Sequence, residues 1–296
     1  MRKLSLVLLV VLMSCQQEIR PEVDQNPTNG GINNSSGSGK FSKCVTDLSE
    51  STFDILTWNI ENFPQRNETT ISTVADIIKD LDADLIAVQE ISESMKFTEL
   101  IDELPGWKGV QSGGSLGIGF LYKTSEVSIS SPSFPLNDAS AFPRAPMVIT
   151  ATHKSGLQVT LINLHLKCCD DGDSIDRRKS ASTKLKSYID SNLMNSNVVM
   201  LGDYNEDITQ PEGNNVLKNF VDDATNYKFA DMTIAQGGSS SWSYPGWPSH
   251  LDHMLITKNL FDNVADTRVL FLNQCESNYY DNVSDHRPVL IRLTSD

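Results

Sequence analysis

Apolar residues along this chain follow two rhythms. Short, nearly unbroken runs recur from one end to the other: "FDILTWN", "DLIAVQE", "LGIGFLYK", "PMVITATH", "LQVTLINLHLK", "NVVMLGDYN", "LDHMLIT", "TRVLFL" and "PVLIRLT". Runs of this length read as strands covered on both faces. Between them, Ile71, Val74, Ile78 and Leu81 fall at helical spacing, as do Ala181, Leu185, Tyr188 and Ile189. No period suggests a repeat, so the pattern predicts a mixed α/β fold with two stacked sheets. The second helix is expected to open at "SIDRRKS", with three cations in a first turn where the macrodipole disfavours them and Asp170, Asp171, Asp173 and Asp176 nearby as neutralising charges.

The N-terminus departs from both rhythms. "MRKLSLVLLVVLMSC" has two cations, then an apolar run from Leu4 to Met13 that is too short to span a bilayer. That layout is a secretory signal, and a small residue placed before Cys15 resembles the bacterial lipobox. Residues 1–14 are therefore expected to be removed and Cys15 to carry lipid. The following "PEVDQNPTNGGINNSSGSGK" is almost free of apolar residues, so 15–50 is expected to be a flexible tether and 51–296 the folded domain. An exported protein of a bacterial cell envelope, held to the membrane through its lipid alone and otherwise monomeric, is the implied arrangement.

The formal net charge is −14, and losing the first fourteen residues removes Arg2 and Lys3 but no acid. Binding to nucleic acid or anionic membrane through bulk electrostatics is disfavoured. An enzyme that meets phosphates locally, through a metal, is not. Beyond Cys15 the cysteines are Cys44, Cys168, Cys169 and Cys275. In an exported chain they read as two disulfides, with three connectivities open.

The candidate chemistry sits where strands begin or end. "ILTWNIEN" closes on Asn59 and Glu61, "LIAVQE" on Gln89 and Glu90, and "VVMLGDYNED" on Asp203 and Asn205; "LINLHLK" holds His165. "SHLDHMLI" starts with His250, Asp252 and His253, and "SDHRPVLI" with Asp285 and His286. Each alone has an ordinary reading as a turn residue or a solvated strand end. Together they form a set of hard oxygen donors with imidazoles beside them. Such oxygen sets suit Mg²⁺, Mn²⁺ or Ca²⁺, and histidines supply acid and base near neutral pH. Hydrolysis of a phosphate ester needs that combination.

The ordered series "TWNIEN", "VQE", "PRAP", "NLHLK", "GDYNED", "PSHLDHML", "SDHRPV" resembles the endonuclease/exonuclease/phosphatase superfamily, which includes deoxyribonucleases, base-excision endonucleases, bacterial sphingomyelinases and inositol polyphosphate 5-phosphatases. The resemblance implies a four-layer αββα sandwich with the site at one end of both sheets. It implies Mg²⁺ or Mn²⁺ on Glu90, Asn59 and Asp285, with Asp203 and Asn205 orienting water and phosphate, and Asn205 and Arg144 contacting substrate. His286 would act on the attacking water or a phosphoryl oxygen, and Asp252 would orient His165. His250 and His253 stand where inositol phosphatases carry an aromatic residue and arginine. His165 points toward the deoxyribonuclease and sphingomyelinase branches. The leading expectation is an exported metal-dependent phosphodiesterase acting on nucleic acid. The alternatives are a phospholipid phosphodiesterase, a small-molecule phosphatase, and a binding protein on the same scaffold with no turnover.

Overall fold

The computed structural model describes residues 39–45, 51–211 and 215–295. The expected signal segment and Cys15 lie outside the described residues. Two mixed six-stranded sheets stack face to face. The first contains β1 (Thr52–Phe63), β2 (Leu85–Ile91), β3 (Trp107–Gln111), β4 (Gly117–Lys123), β11 (Val264–Val269) and β12 (Val289–Thr294), in the order β11-β12-β1-β2-β4-β3. The second contains β5 (Val127–Ile129), β6 (Met147–His153), β7 (Gln158–His165), β8 (Val198–Asp203), β9 (Tyr227–Phe229) and β10 (Asp252–Thr257), in the order β5-β6-β7-β8-β10-β9.

Three separate cores explain the layering. Leu56, Trp58 and Ile60 of β1 face outward onto α1 (Glu68–Leu81) and α2 (Ser94–Asp102), which contribute Ile71, Val74, Ile78, Phe97 and Leu100. Ile162 and Leu164 of β7 and Met200 of β8 face the other way, onto Ala181, Leu185 and Ile189 of α3 (Gly172–Asn192). Between the sheets lies a third core that includes Phe53, Ile55, Leu85, Ala87, Val159, Leu161, Val199, Leu201, Met254 and Ile256. The order is helix, sheet, sheet, helix, as the sequence resemblance implied. Among the described residues, no helix is long and apolar enough to cross a membrane.

Period-two alternation gives these inward rows a consequence. Each runs from apolar residues at one end of the sandwich to polar ones at the other: Phe53, Ile55, Thr57, Asn59 on β1; Leu85, Ala87, Gln89 on β2; Val159, Leu161, Asn163, His165 on β7; and Val199, Leu201, Asp203 on β8. Antiparallel β10 opens at the same end with Asp252, paired with Asp203. The sheets thus carry their polar groups to one shared edge, inside the intersheet space.

Two expectations need correction. The α3 helix starts earlier than "SIDRRKS": Asp171 is its N-cap, accepting from the Ser174 amide at 3.1 Å, and Asp173 lies in the first turn. The arginines are therefore past the helix start. Arg178 is buried, with Nε donating to Glu206 at 2.8 Å and Nη1 to the Lys167 carbonyl at 2.9 Å. The tether expected over 15–50 also gives way early. Phe41 is fully buried against the α1 face, its amide donating to Asp80 Oδ2 at 2.8 Å, and Cys44 is bridged to Cys275. The Cys168 thiol is free.

A buried polar knot fixes the outer side of the second sheet. Asp231 Oδ2 accepts from His250 Nε2 at 3.0 Å and His253 Nδ1 at 2.5 Å, and its Oδ1 accepts from the Met254 amide at 2.9 Å. Burial would raise the Asp231 carboxyl, but the two imidazoles outweigh it and hold the group well below the usual range. A depressed carboxyl contributes stability above its unfolded value and loses it as the pH falls. Asp231→Asn is expected to cost about 3–5 kcal/mol by leaving buried imidazole unpaired. Urea denaturation measures this, and the acid limb of its pH profile should flatten. Gly202 gives a second test. At φ +145° it lies so close to β7 that a Cβ would sit 1.9 Å from the Leu164 carbonyl oxygen. Gly202→Ala should lose ~3 kcal/mol or more in the same assay.

Candidate active site

Sheet irregularities aim the residues at the polar edge. Pairing of β1 with β2 slips between Asn59 and Phe63, and pairing of β2 with β4 slips between Val88 and Ile91. Glu61, Asn62 and Glu90 all take positive φ there (32°, 47° and 66°), as does Asn205 just past β8 (50°). Left-handed backbone at non-glycine residues costs energy and concentrates at functional sites, as bulges do. Here the bulges let Glu90 leave the strict alternation and turn toward β1, where Oε2 accepts from the Asn62 amide at 3.0 Å.

Asp203 is the hub. Its Oδ2 accepts from Asn59 Nδ2 at 3.0 Å and lies 3.5 Å from His165 Nε2 and 3.9 Å from His286 Nε2. Its Oδ1 accepts from the Asn205 amide at 2.8 Å. Asn59 Nδ2 also donates to Glu90 Oε1 at 3.1 Å, while its oxygen accepts from the Glu61 amide at 3.0 Å. Asn59 therefore cross-links the carboxylates. Opposite, the Asp285 amide donates to Glu61 Oε2 at 2.8 Å.

His286 is held from several sides. Asp252 Oδ2 accepts from Nδ1 at 2.7 Å, Ser284 Oγ accepts from its amide at 2.9 Å, and the Tyr279 hydroxyl donates to its carbonyl at 2.6 Å. Trp58 Nε1 in turn donates to that hydroxyl at 3.1 Å. Tyr244 closes the remaining side, its ring centred 4.8 Å from the imidazole.

The electrostatics split the two histidines. Burial would lower His286, but Asp252, Asp203 and Asp285 overcome it and hold the imidazole well above its ordinary value. His165 goes the other way, pushed well down by burial and by the cationic Arg144 and His286. Two imidazoles shifted in opposite directions thus flank one carboxylate, the arrangement by which sites divide acid and base duties. Burial pushes Asp203 up to about 7; burial and Asp285 bring Glu61 to about 7. Asp285 is raised by burial and by Glu90, with His286 opposing. Burial lowers the Arg144 guanidinium, opposed by the charges of Glu90 and Asp203.

The sequence pattern of the endonuclease/exonuclease/phosphatase family matches residues 56–286. The chain belongs to that family. Members of the family generally use a divalent cation, and two clusters at this edge could hold one: Glu90, His165 and Asp203, and Asp203, Asp252 and His286. Glu90, Glu61 and Asp285 are hard oxygen donors crowded together, two of them raised by burial and mutual repulsion that a cation would relieve. A search of curated protein sequences finds no match. Solved structures do match in fold. Zebrafish (D. rerio) TDP2 in complex with single-strand DNA product aligns at TM-score 0.67 and 13% identity, over 83% of this chain and all of that one. The Neisseria 3′ phosphatase NExo bound to a product DNA hairpin aligns at 0.60 and 18%, over 82% of this chain and all of that one. A mannosyl-6-phosphatase from Bacteroides thetaiotaomicron aligns at 0.59 and 16%, with the same coverage.

Asn59, Glu90, His165, Asp203, Asn205, Asp252, Asp285 and His286 all meet at this edge of the family fold, and Arg144 acts on it electrostatically. One pairing differs from expectation: Asp252 orients His286, and His165 Nδ1 is buried without a hydrogen-bond partner. His250 and His253 are absent from the site. Alternation on β10 points His253 away from Asp252, to the outer face and the Asp231 knot.

Three residues join that the sequence reading left without a role. Glu61 was visible as a strand-end acid, but only its positive φ brings it to Asp285. Tyr244 sat among tryptophans with nothing to single it out, yet burial and the acids Asp285, Glu61, Asp203 and Glu90 push its hydroxyl up to about 12. Arg287 is buried and donates to the Ser240 and Trp242 carbonyls at 3.1 Å each, holding the loop that carries Tyr244.

Asp252→Asn should lower turnover about 10²–10⁴-fold with little change in KM, since it disorients an imidazole without touching substrate. Glu61→Gln should raise the Mg²⁺ concentration for half-maximal activity by about tenfold or more. Steady-state rates across a metal titration read both.

Proposed function

We propose that the protein is an exported, divalent-metal-dependent phosphodiesterase, anchored by lipid at Cys15 and acting on nucleic acid. The observation that carries the chemistry is the convergence of Asn59, His165 and His286 on one oxygen of Asp203 beside the Glu90–Glu61–Asp285 acids. Bound there, Mg²⁺ or Mn²⁺ on Glu90, Glu61 and Asp285 would neutralise charge on the phosphate. This chain's own groups do the rest. Arg144 and the protonated His286 face phosphoryl oxygens, and Asp252 fixes the imidazole's direction. Asp203, steadied by Asn59 and the Asn205 amide, aims a water at phosphorus and accepts its proton. His165, kept neutral, serves the same pocket as a hydrogen-bonding partner.

Nucleic acid as substrate is supported by the DNA products bound to two of the structural neighbours. The net charge of −14 favours a second reading, a small phosphate ester handled by the same residues.

Supercoiled plasmid incubated with the protein in Mg²⁺ should be nicked, and EDTA should abolish nicking. His286→Ala and Asp203→Ala should each lower the rate about 10³-fold or more while thermal unfolding stays cooperative. Intact plasmid alongside Mg²⁺-dependent cleavage of a chromogenic phosphodiester would transfer the assignment to smaller esters. No cleavage of either would sink the enzymatic reading.

A further inference from the structure

His153, the first of the chain's five histidines, takes no part in the chemistry above. It ends β6 at the opposite end of the sandwich, 2% exposed, with its ring stacked on Phe53 at 5.0 Å between centroids. Nδ1 is bonded to Ser155 Oγ at 2.9 Å. Nε2 is buried and has no hydrogen-bond partner. It points between two carboxylates, Asp84 Oδ2 at 3.8 Å and Glu126 Oε2 at 4.0 Å, both too distant for a hydrogen bond. One donor atom from each of the three residues falls within 4.8 Å of the others.

The three are drawn from both sheets. Asp84 immediately precedes β2 in the first sheet, whereas Glu126 immediately precedes β5 and His153 closes β6 in the second. Asp84 is held firmly: Oδ2 accepts from the Asp54 amide at 2.8 Å, and its own amide donates to the Asp54 carbonyl at 3.1 Å. Burial pushes its carboxyl up to about 7. A partnerless buried imidazole nitrogen facing buried carboxylate oxygen is costly unless something sits between them.

We propose that Asp84, Glu126 and His153 form a second metal site, for a transition-series divalent cation such as Zn²⁺, which joins the two sheets at the end remote from the active site. Tetrahedral zinc with bonds of ~2.0–2.2 Å separates its ligand atoms by roughly 3.3–3.6 Å; the two separations from His153 Nε2, 3.8 and 4.0 Å, lie just above that spacing. Three protein ligands leave the fourth position to water. The imidazole separates this site from the oxygen-only set at the active site and selects against Mg²⁺ and Ca²⁺. Two carboxylates match the charge of the ion. Lys154 Nζ, on the solvent side, pairs with Glu126 Oε2 at 2.6 Å, and that oxygen can keep this bond while ligating.

Metal on Nε2 requires the ring proton on Nδ1, where Ser155 Oγ accepts it. The Ser155 amide donates to the same Nδ1 at 3.3 Å and favours the opposite tautomer in the ion-free protein. Uptake therefore shifts a proton from one ring nitrogen to the other and turns Ser155 from donor to acceptor.

The test uses the full chain stripped with chelator and titrated with Zn²⁺ against a chromophoric competitor. His153→Ala and Glu126→Gln are each expected to bind one equivalent of Zn²⁺ fewer than the parent. Each should also lose the Zn²⁺-dependent rise in Tm and keep Mg²⁺-dependent turnover. Glu90→Gln is expected to retain this equivalent. Parent-like Zn²⁺ stoichiometry in both variants, or loss in one alone, would overturn the three-ligand site. Loss of all tight Zn²⁺ in Glu90→Gln would overturn it as well. If His153→Ala fails to fold, Glu126→Gln decides alone, because its side chain lies at the partly exposed rim.

Discussion

Two buried amides hold this architecture in register. Gln89 of the first sheet donates from Nε2 to Asn163 Oδ1 of the second at 2.9 Å, and Asn163 Nδ2 donates back across the gap to the Val88 and Gly119 carbonyls at 3.1 and 2.8 Å. Apolar side chains between two sheets tolerate sliding, because the hydrophobic effect has no direction. Hydrogen bonds do not, and each unmade one in this dry space would cost about 1–3 kcal/mol. The carbonyls that Asn163 reaches lie where pairing of β2 with β4 starts to slip. The irregularity that aims Glu90 is thus joined to the contact that aligns the sheets. With Gln89 and Asn163 matched, their neighbours Glu90 and His165 come within 3.8 Å.

Beyond that pair the polar edge becomes a site through accumulation of charge in a partly buried place. Among the described residues, Glu61, Glu90, Asp203, Asp252 and Asp285 are packed with His286 and Arg144 as counterweight. Left alone, such crowding lifts Glu61, Asp203 and Asp285 toward neutrality. The same crowding is what makes it a receptor for cations and, through them, for phosphate. Stability and function pull in opposite directions here, and the left-handed backbone at Glu61, Asn62, Glu90 and Asn205 adds to that tension.

Much of this was legible in the chain because strand periodicity is local. The runs ending in Asn59, Glu90, Asp203 and His165 announce both the strand and the group at its tip, and "SDHRP" announces Asp285 and His286. What escaped depends on contacts between distant segments. Asp252 pairs with His286 and not His165, because antiparallel β10 enters next to Asp203 and meets the loop before β12. Nothing local announces the burial of Arg287, because its Trp242 carbonyl partner lies 45 residues away in sequence. His250 and His253 resembled site residues by proximity to Asp252, yet strand alternation sends His253 to the opposite face. The early start of α3 is hidden because the three cations of "SIDRRKS" lie beyond its capping group, Asp171.

The inward rows carry an implication for how this chain can vary. A strand read one residue out of step exchanges the faces of all its side chains. On β10 such a slip would bring His253 into the site and send Asp252 into the Asp231 knot, damaging catalysis and folding together. Insertions and deletions inside these strands are therefore excluded twice over. The loops that surround the polar edge, such as the one bearing Tyr244 and the exposed Trp247, bear no such restriction. Changes of chain length should accumulate there, where they reshape what the pocket admits and leave the hydrolytic groups in place.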